Sequence, residues 1–244
     1  MHLYSYEIDE TKLPCHVAFI MDGNGRWAQK RNLPRINGHQ KGYEALKRII
    51  EFNKKVGVKF ISVFAFSTEN WERPEDEVSF LMSLARKLVV EYLETLLSND
   101  IRLVITGSRE RLNLELIKLL DDAVEKSKNC KSYTLNVVFN YGGRKEILDA
   151  AKKIAIHYKE NSINLEKLNE VNFKNYLYHP EIPDVDLLIR TSGEYRISNF
   201  LLWQSSYAEL YFSSKLWPDF TPRDYCKAIK DYQKRERRFG KVLS

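Results

Sequence analysis

Asp22-Gly23-Asn24-Gly25-Arg26-Trp27 puts a carboxylate, two glycines and a guanidinium directly behind the apolar run Val17-Ala18-Phe19-Ile20-Met21. A short apolar run that stops at a glycine-rich turn reads as a buried parallel strand handing its loop to a helix. The glycines let backbone N–H groups come close to an anion, and a following helix N-terminus adds the positive end of its dipole. Asp22 suits a hard cation and Arg26 suits phosphate oxygens, so the chemistry is that of a metal–diphosphate site. No Gly-Lys-Ser/Thr follows, which excludes a Walker loop, and the G-x-G-x-x-G spacing of a dinucleotide site is missing. Taken alone, the hexapeptide is equally compatible with an ordinary Asx/Gly turn.

The elements around it favour the site. Apolar runs recur at 17–21, 60–66, 101–105, 135–139 and 185–189, with a last candidate strand at 209–212. Between them Leu46, Ile49, Ile50 and Val56, and later Leu112, Leu116, Leu120, Ala123 and Val124, keep helical spacing. Thr221-Pro222-Arg223-Asp224 announces a final helix by a capping box with proline at its first position, and Tyr225, Ile229 and Tyr232 form its buried stripe. The alternation predicts one α/β domain over 1–244, with a mostly parallel sheet of about six strands flanked by helices.

In such a sheet ligands bind beyond the carboxyl ends of the strands. The loops expected there are Asp22 to Trp27, Ser67-Thr68-Glu69-Asn70-Trp71-Glu72-Arg73-Pro74, Asn140-Tyr141-Gly142-Gly143-Arg144, and Arg190-Thr191-Ser192-Gly193-Glu194-Tyr195-Arg196-Ile197-Ser198. Only Thr106-Gly107-Ser108 is plain. Such a density of Arg, Trp and Gly at one edge reads as function. Residues 78–97 are apolar on more than one face. That pattern fits a helix packed between sheet and neighbour, or a helix lining a greasy cavity that runs away from the charged rim. A diphosphate clamp at the mouth of such a cavity suits an isoprenoid diphosphate.

Composition bounds the rest. The 244 residues, 43% hydrophobic and 30% charged, bury a sizeable core, and the net charge of +6 invites anionic partners. Met1 to Glu7 has neither a basic nor an apolar segment, so no signal peptide is expected, and no apolar run reaches the roughly 18 residues of a membrane span. Cys15, Cys130 and Cys226 are far apart without C-x-x-C spacing, and read as reduced thiols of a cytosolic protein.

Nine blocks in order resemble the cis-prenyltransferases of the bacterial undecaprenyl diphosphate synthase type. They are His16 to Ala28, Gly38-His39, Phe66 to Pro74, Asn140 to Arg144, Ile189 to Glu194, Arg196 to Gln204, Ala208 to Phe212, Leu216 to Phe220, and Arg235 to Gly240 with its terminal Arg238-Phe239-Gly240. The resemblance implies sequential addition of isopentenyl diphosphate to an allylic diphosphate, usually farnesyl diphosphate, with new double bonds in the cis configuration. It implies dependence on Mg2+, a homodimer, a hydrophobic product tunnel, and a product such as undecaprenyl diphosphate, the carrier-lipid precursor for cell-wall synthesis.

At the matching positions, Asp22 becomes the essential carboxylate that holds magnesium against a substrate diphosphate, with Glu209 as the second metal-site carboxylate. Gly23, Asn24, Gly25 and Arg26, helped by Arg35 and His39, would wrap the allylic diphosphate. Arg73, Arg190, Arg196 and Ser198 resemble the isopentenyl diphosphate clamp, where fixed guanidiniums offset repulsion between two diphosphates. Ser67, Thr68, Glu69 and Ile197 fall in the same blocks as substrate-site residues. Asn70 matches the residue named as proton acceptor. A carboxamide is a very weak base, however, and a water or diphosphate oxygen placed by its hydrogen bond is chemically easier. Trp27 and Trp71 would shield a carbocation-like centre or pack in the core. The Arg-Phe-Gly end would reach toward the partner subunit.

Departures are few: Asn37 stands at an often apolar spot, Tyr195 where some members carry a histidine near the metal, and Tyr133 near the expected tunnel floor. Rival readings are weaker. Asp121-Asp122-Ala123-Val124-Glu125 resembles the Asp-rich motif of trans-prenyltransferases, but it occurs once and the β/α alternation contradicts an all-helical enzyme. A non-catalytic subunit would lose the Asp and loop arginines that this chain keeps. A basic RNA-binding module would show an RNA-binding motif, and the basic run Arg235 to Arg238 is too short for one. A shorter-chain cis-prenyl diphosphate synthase remains open. The expectation is a soluble cytoplasmic homodimer with no nucleic-acid partner, which touches the inner membrane surface to release its product.

Overall fold

In the computed structural model, residues 1–3 and 6–236 are described, so Arg237 to Ser244, including the Arg238-Phe239-Gly240 end and most of the basic run, lie outside the described residues. A small hairpin pairs β1 (His2–Leu3) with β2 (Tyr6–Glu7). Then follow β3 (His16–Ile20), α1 (Asn24–Gln29), α2 (Arg35–Val56), β4 (Phe60–Ser67), α3 (Glu75–Ser98), β5 (Ile101–Thr106) and α4 (Leu114–Ser127). β6 (Tyr133–Tyr141), α5 (Gly143–Lys159), α6 (Glu170–Phe173), β7 (Leu187–Arg190), β8 (Glu209–Phe212) and α7 (Pro222–Tyr232) complete the chain.

β3 to β8 form one six-stranded sheet in the order β5-β6-β4-β3-β7-β8, every pair parallel. Parallel strands are covered on both faces, which is why they read as continuous apolar runs. All five residues of β3 are buried. Val17 and Phe19 join the larger core under α2, α3, α4 and α7, and Ala18 and Ile20 join the cluster on the opposite face with Val138, Leu188 and Phe200.

β3 and β5 extend beyond their apolar runs by the buried polar residues His16 and Thr106, which are bonded to Ser62 and Asn136 inside β4 and β6. His16 Nε2 lies 2.8 Å from Ser62 Oγ, Asn136 Nδ2 donates to the same oxygen at 2.9 Å, and Thr106 Oγ1 donates to Asn136 Oδ1 at 2.6 Å. This ladder crosses β3, β4, β6 and β5 and ties their register, since any slip would leave buried polar groups unpaired. Near its end β4 has irregularities between Phe64 and Ser67. A bulge of this kind re-aims the side chains beyond it, here toward the carboxyl edge of the sheet. α7 carries the expected cap, with Thr221 Oγ1 accepting from Asp224 N. Among the described residues no helix is long and apolar enough to cross a membrane.

Candidate functional site

β3, β4 and β7 end side by side, so their loops converge on one mouth. Gly23 makes the first turn possible with φ 106°, and α1 begins at once. α2 then crosses this loop at two glycines. A Cβ on Gly38 would stand 1.9 Å from Asn24 O, and one on Gly42 would stand 2.3 Å from Asn24 Oδ1. A Cβ on Gly25 would meet the Arg35 guanidinium at 2.8 Å. These close approaches press Asp22 and Asn24 against the sheet edge.

Asp22, Arg73, Arg190, Arg196 and Ser198 line the resulting polar cavity, together with Ser67, Glu69, Asn70 and Asn199. Arg190 is 3% exposed. Its Nη2 donates to Asp22 Oδ2 at 2.8 Å, and its Nη1 donates to Ser198 Oγ at 2.7 Å and to the Arg196 carbonyl. Arg26 Nη2 approaches Asp22 Oδ1 at 3.5 Å. Burial pushes the Asp22 carboxyl up, but the hydrogen bond and charge of Arg190, with Arg26, outweigh it and hold the group below the usual carboxylate range.

A second chamber lies behind the mouth, between side chains that include Leu46, Leu84, Leu88, Ile105 and Val137. Met21, Asn24, His39, Ala65 and Leu81 border both spaces, so the charged rim opens directly onto a greasy interior. Residues 78–97 therefore do line a cavity: Leu81, Leu84, Ala85 and Leu88 of α3 form its wall. Tyr133 is not in the lining; its hydroxyl donates to Ile50 O at 2.7 Å.

A family model described as "Putative undecaprenyl diphosphate synthase" matches residues 20–240. An isoprenyl transferase of Thermotoga maritima is 50% identical over 236 residues, 96% of this chain and 99% of the relative. The chain belongs to the undecaprenyl diphosphate synthase family. It is an isoprenyl transferase by relationship, and its fold is that of cis-prenyltransferases. The structure of lavandulyl diphosphate synthase from Lavandula x intermedia, in complex with dimethylallyl diphosphate, matches with TM-score 0.92 at 35% identity, covering 96% of this chain and 100% of that one. A probable undecaprenyl diphosphate synthase from Campylobacter jejuni matches with TM-score 0.78 at 37% identity, covering 93% and 99%.

Two carboxylates that sequence reasoning left without a role organise the cations of this family site. Glu77, 4% exposed, accepts from Arg35 Nε at 2.9 Å and from Arg73 Nη1 at 2.9 Å, and lies 3.0 Å from His39 Nε2. Burial pushes its carboxyl up, but hydrogen bonds from Arg35 and His39 and the charge of Arg73 leave it lowered and ionised. Burial likewise lowers the His39 pKa, and Glu77 only partly offsets this, so His39 is neutral near pH 7. Glu194 takes Arg26 Nη1 at 2.8 Å on one oxygen and Arg196 Nη1 on the other. A Glu one turn beyond Arg73 at the start of a helix was the available signal for Glu77; nothing local marked Glu194.

The remaining predicted residues scatter more. Asn70 Oδ1 accepts from Ser67 N at 3.2 Å and closes a capping box. The amide oxygen is thus engaged, and the NH2 group is what Asn70 offers the cavity. Glu69 Oε1 accepts from Asn199 Nδ2 at 2.9 Å, Thr68 lies beside Gly142, and Ile197 packs on the rear cluster. Trp27 borders neither cavity; it packs with Ala28 and Leu216, and its Nε1 donates to Asp219 Oδ1 at 2.8 Å. Trp71 also lies outside both linings, edge-on to Phe66 with Nε1 donating to Asn140 Oδ1 at 2.8 Å. Of the two readings offered for these rings, packing is the one their contacts match.

Glu209 stands apart from Asp22. It pairs with Leu187 at the start of β7, while Arg190 ends that strand. Three residues of strand separate the two levels by ~10 Å, and Glu209 Oε2 accepts from Arg235 Nη1 at 2.9 Å. Among the described residues no three His, Cys, Asp or Glu side chains gather as a metal cage. A magnesium ion does not need one, because it keeps waters and takes substrate phosphate oxygens beside one or two carboxylates. The ionised Asp22, partly open at the rim, fits that donor set.

Proposed function

We propose that the protein condenses isopentenyl diphosphate onto an allylic diphosphate, farnesyl diphosphate foremost. Repetition with cis geometry gives a long-chain polyprenyl diphosphate such as undecaprenyl diphosphate, a carrier lipid for cell-wall synthesis. One observation carries this reading: a mouth lined by Asp22, Arg73, Arg190 and Arg196 opens through Asn24 and His39 onto an apolar chamber. Diphosphate heads suit the first space and isoprene chains the second.

Two diphosphates drawn together repel by about 4 kcal/mol for each pair of unit charges at 4 Å and an effective dielectric constant of 20. Arg73, Arg190 and Arg196, together with Arg26 and Arg35 at the loop after β3, offset that repulsion and place the two heads. The allylic C1–O bond breaks with its electron pair leaving on the diphosphate, the isopentenyl C4 bonds to C1, and a proton departs from C2. The guanidiniums stabilise the negative charge that develops on the leaving group. Magnesium at Asp22 would add Lewis-acid stabilisation there. Because the Asn70 oxygen is committed to Ser67 N, its NH2 would hold the water or diphosphate oxygen that receives the proton. The chamber wall of Leu81, Leu84 and Leu88 keeps water from the cationic chain.

Purified protein with farnesyl diphosphate, labelled isopentenyl diphosphate and magnesium should yield labelled apolar product, whose chromatography gives its length. No incorporation would end this reading. We further place the protein in the cytoplasm as a homodimer that touches the membrane surface. The edge of the sheet supports a homodimer: among the described residues β8 pairs on one side only, and Tyr195, Tyr207 and Leu210 beside it are exposed. Light scattering that returns a monomer mass would remove the dimer.

A further inference from the structure

A carboxylate between two anion clamps is electrostatically perverse unless it does something else. Glu194 holds Arg26, on the loop after β3, with one oxygen and Arg196, on the loop after β7, with the other. Under the reading above these two guanidiniums serve different substrates, Arg26 the allylic diphosphate and Arg196 isopentenyl diphosphate. Arg26 has further restraints, because it also donates to Ser192 O at 3.2 Å and to Ser192 Oγ, and lies 3.5 Å from Asp22. Among the described residues, Glu194 is the one side-chain partner of the Arg196 guanidinium, which is 59% exposed.

We infer that Glu194 is a positioning residue that ties Arg196 to Arg26, so that the isopentenyl diphosphate clamp is pre-aimed at a fixed distance from the allylic one. The inference rests on the proposed two-diphosphate reading. Its physical basis is conformational entropy. An exposed arginine samples many rotamers, and immobilising one on binding costs about 0.5–1.5 kcal/mol unless it is already held. Freed from Glu194, Arg196 would have to be ordered by the incoming diphosphate itself. Arg26 would lose less, because Ser192 and Asp22 still hold it.

Two substitutions separate this role from simple charge. Glu194→Gln keeps the length and removes the negative charge; Glu194→Asp keeps the charge but is too short to span both guanidiniums. If Glu194 acted only through its charge, the Gln variant would bind both anions more tightly and the Asp variant would match wild type. Positioning predicts that both variants bind isopentenyl diphosphate about three- to tenfold more weakly, with a smaller change for a non-ionising thio analogue of farnesyl diphosphate. Calorimetry on the intact protein measures each probe separately, and circular dichroism checks the fold. Tighter binding by the Gln variant, or an Asp variant equal to wild type, overturns the inference while leaving the proposed function standing. A wild-type protein that binds neither probe removes both.

Discussion

Gly38→Ala is expected to damage the site out of proportion to the fold. The added Cβ would lie 1.9 Å from the Asn24 carbonyl oxygen and 2.7 Å from its carbon, about 1.5 Å short of the 3.4 Å at which ordinary contact begins. The obstacle is backbone, so it cannot rotate aside. Either α2 lifts or the loop carrying Asp22, Asn24 and Arg26 moves by an ångström or more. Overpacking of this kind costs about 1–3 kcal/mol, which for a chain of this size lowers Tm by ~2–10 °C. A 1 Å misplacement of reacting groups costs about 100-fold in rate, so kcat/KM for prenyl transfer should fall by roughly two orders of magnitude. Gly57→Ala is the matched control. Gly57 caps the same helix with φ 91°, and a Cβ there meets only Leu13 at 3.9 Å. Forcing alanine into that backbone conformation costs ~1–2 kcal/mol, and no site residue lies against it. Thermal melts and steady-state kinetics on both variants decide the matter. A Gly38→Ala enzyme within threefold of wild-type kcat/KM, at a similar loss of Tm, would refute the claim that this crossing positions Asp22.

Asp22→Asn should abolish turnover and keep the fold by circular dichroism; near-normal turnover would remove the metal argument. Asp22→Ala is the poorer test, since it strips a partner from the buried Arg190 guanidinium, and removing one member of such a pair costs about 3–5 kcal/mol. Glu77→Gln should weaken binding of both diphosphates by about tenfold, because Arg35, Arg73 and His39 lose their common anchor. Unchanged affinity by calorimetry would show that those side chains hold their places without it. Stability should fall as pH drops from 6.5 toward 4. Burial lowers the His16 pKa from 6.5 to about 4, so across that window the unfolded chain binds a proton that the native ring refuses. The sign follows: stability rises with pH there, by ~3 kcal/mol in all at 1.36 kcal/mol per pH unit. Urea unfolding at stepped pH checks it, and a flat profile from pH 6.5 to 4.5 would contradict a neutral, ladder-bound His16.

Six strands, their parallel order of burial and the loops at their ends were legible because parallel strands bury both faces and announce themselves as apolar runs. Where the reading fell short, the missing information was non-local. His16 and Thr106 extend strands that hydropathy alone ends early, and they do so as buried polar groups whose partners lie on other strands. Helix 78–97 was ambiguous for the same reason, since an apolar face looks identical whether it meets side chains or a cavity. Trp27 and Trp71 divided equally between shielding and packing until Asp219 and Asn140 were found on their indole nitrogens. Asp22, Arg190, Arg196 and Ser198 converge as their strand-end positions imply. Glu77 and Glu194 lie four and two residues from Arg73 and Arg196, but their second cations, Arg35 at 42 residues and Arg26 at 168, are distant in sequence, and that distance hides the shared pairing.

Those two carboxylates, with Asp22, explain how five guanidiniums sit together around one mouth. Arg26, Arg35, Arg73, Arg190 and Arg196 repel one another, and in a partly desolvated cleft that repulsion is stronger than in bulk water. Each is matched to an acid: Arg35 and Arg73 to Glu77, Arg26 and Arg196 to Glu194, Arg190 to Asp22. A guanidinium has five N–H donors, so a carboxylate on one edge leaves others free for phosphate oxygens. The acids therefore orient the clamp without filling it. Under the proposed reading their burden appears when both diphosphates are present, because Asp22 then lines the same cavity as the two polyanionic heads. At that moment a cation is most strongly demanded at the least buried of the central acids' neighbours, the open side of Asp22, which is where magnesium would act. Cation dependence should accordingly be steeper for binding the second diphosphate than for the first. Equal magnesium dependence for the two binding steps, measured by calorimetry with the non-ionising analogue, would contradict this account of the charge balance.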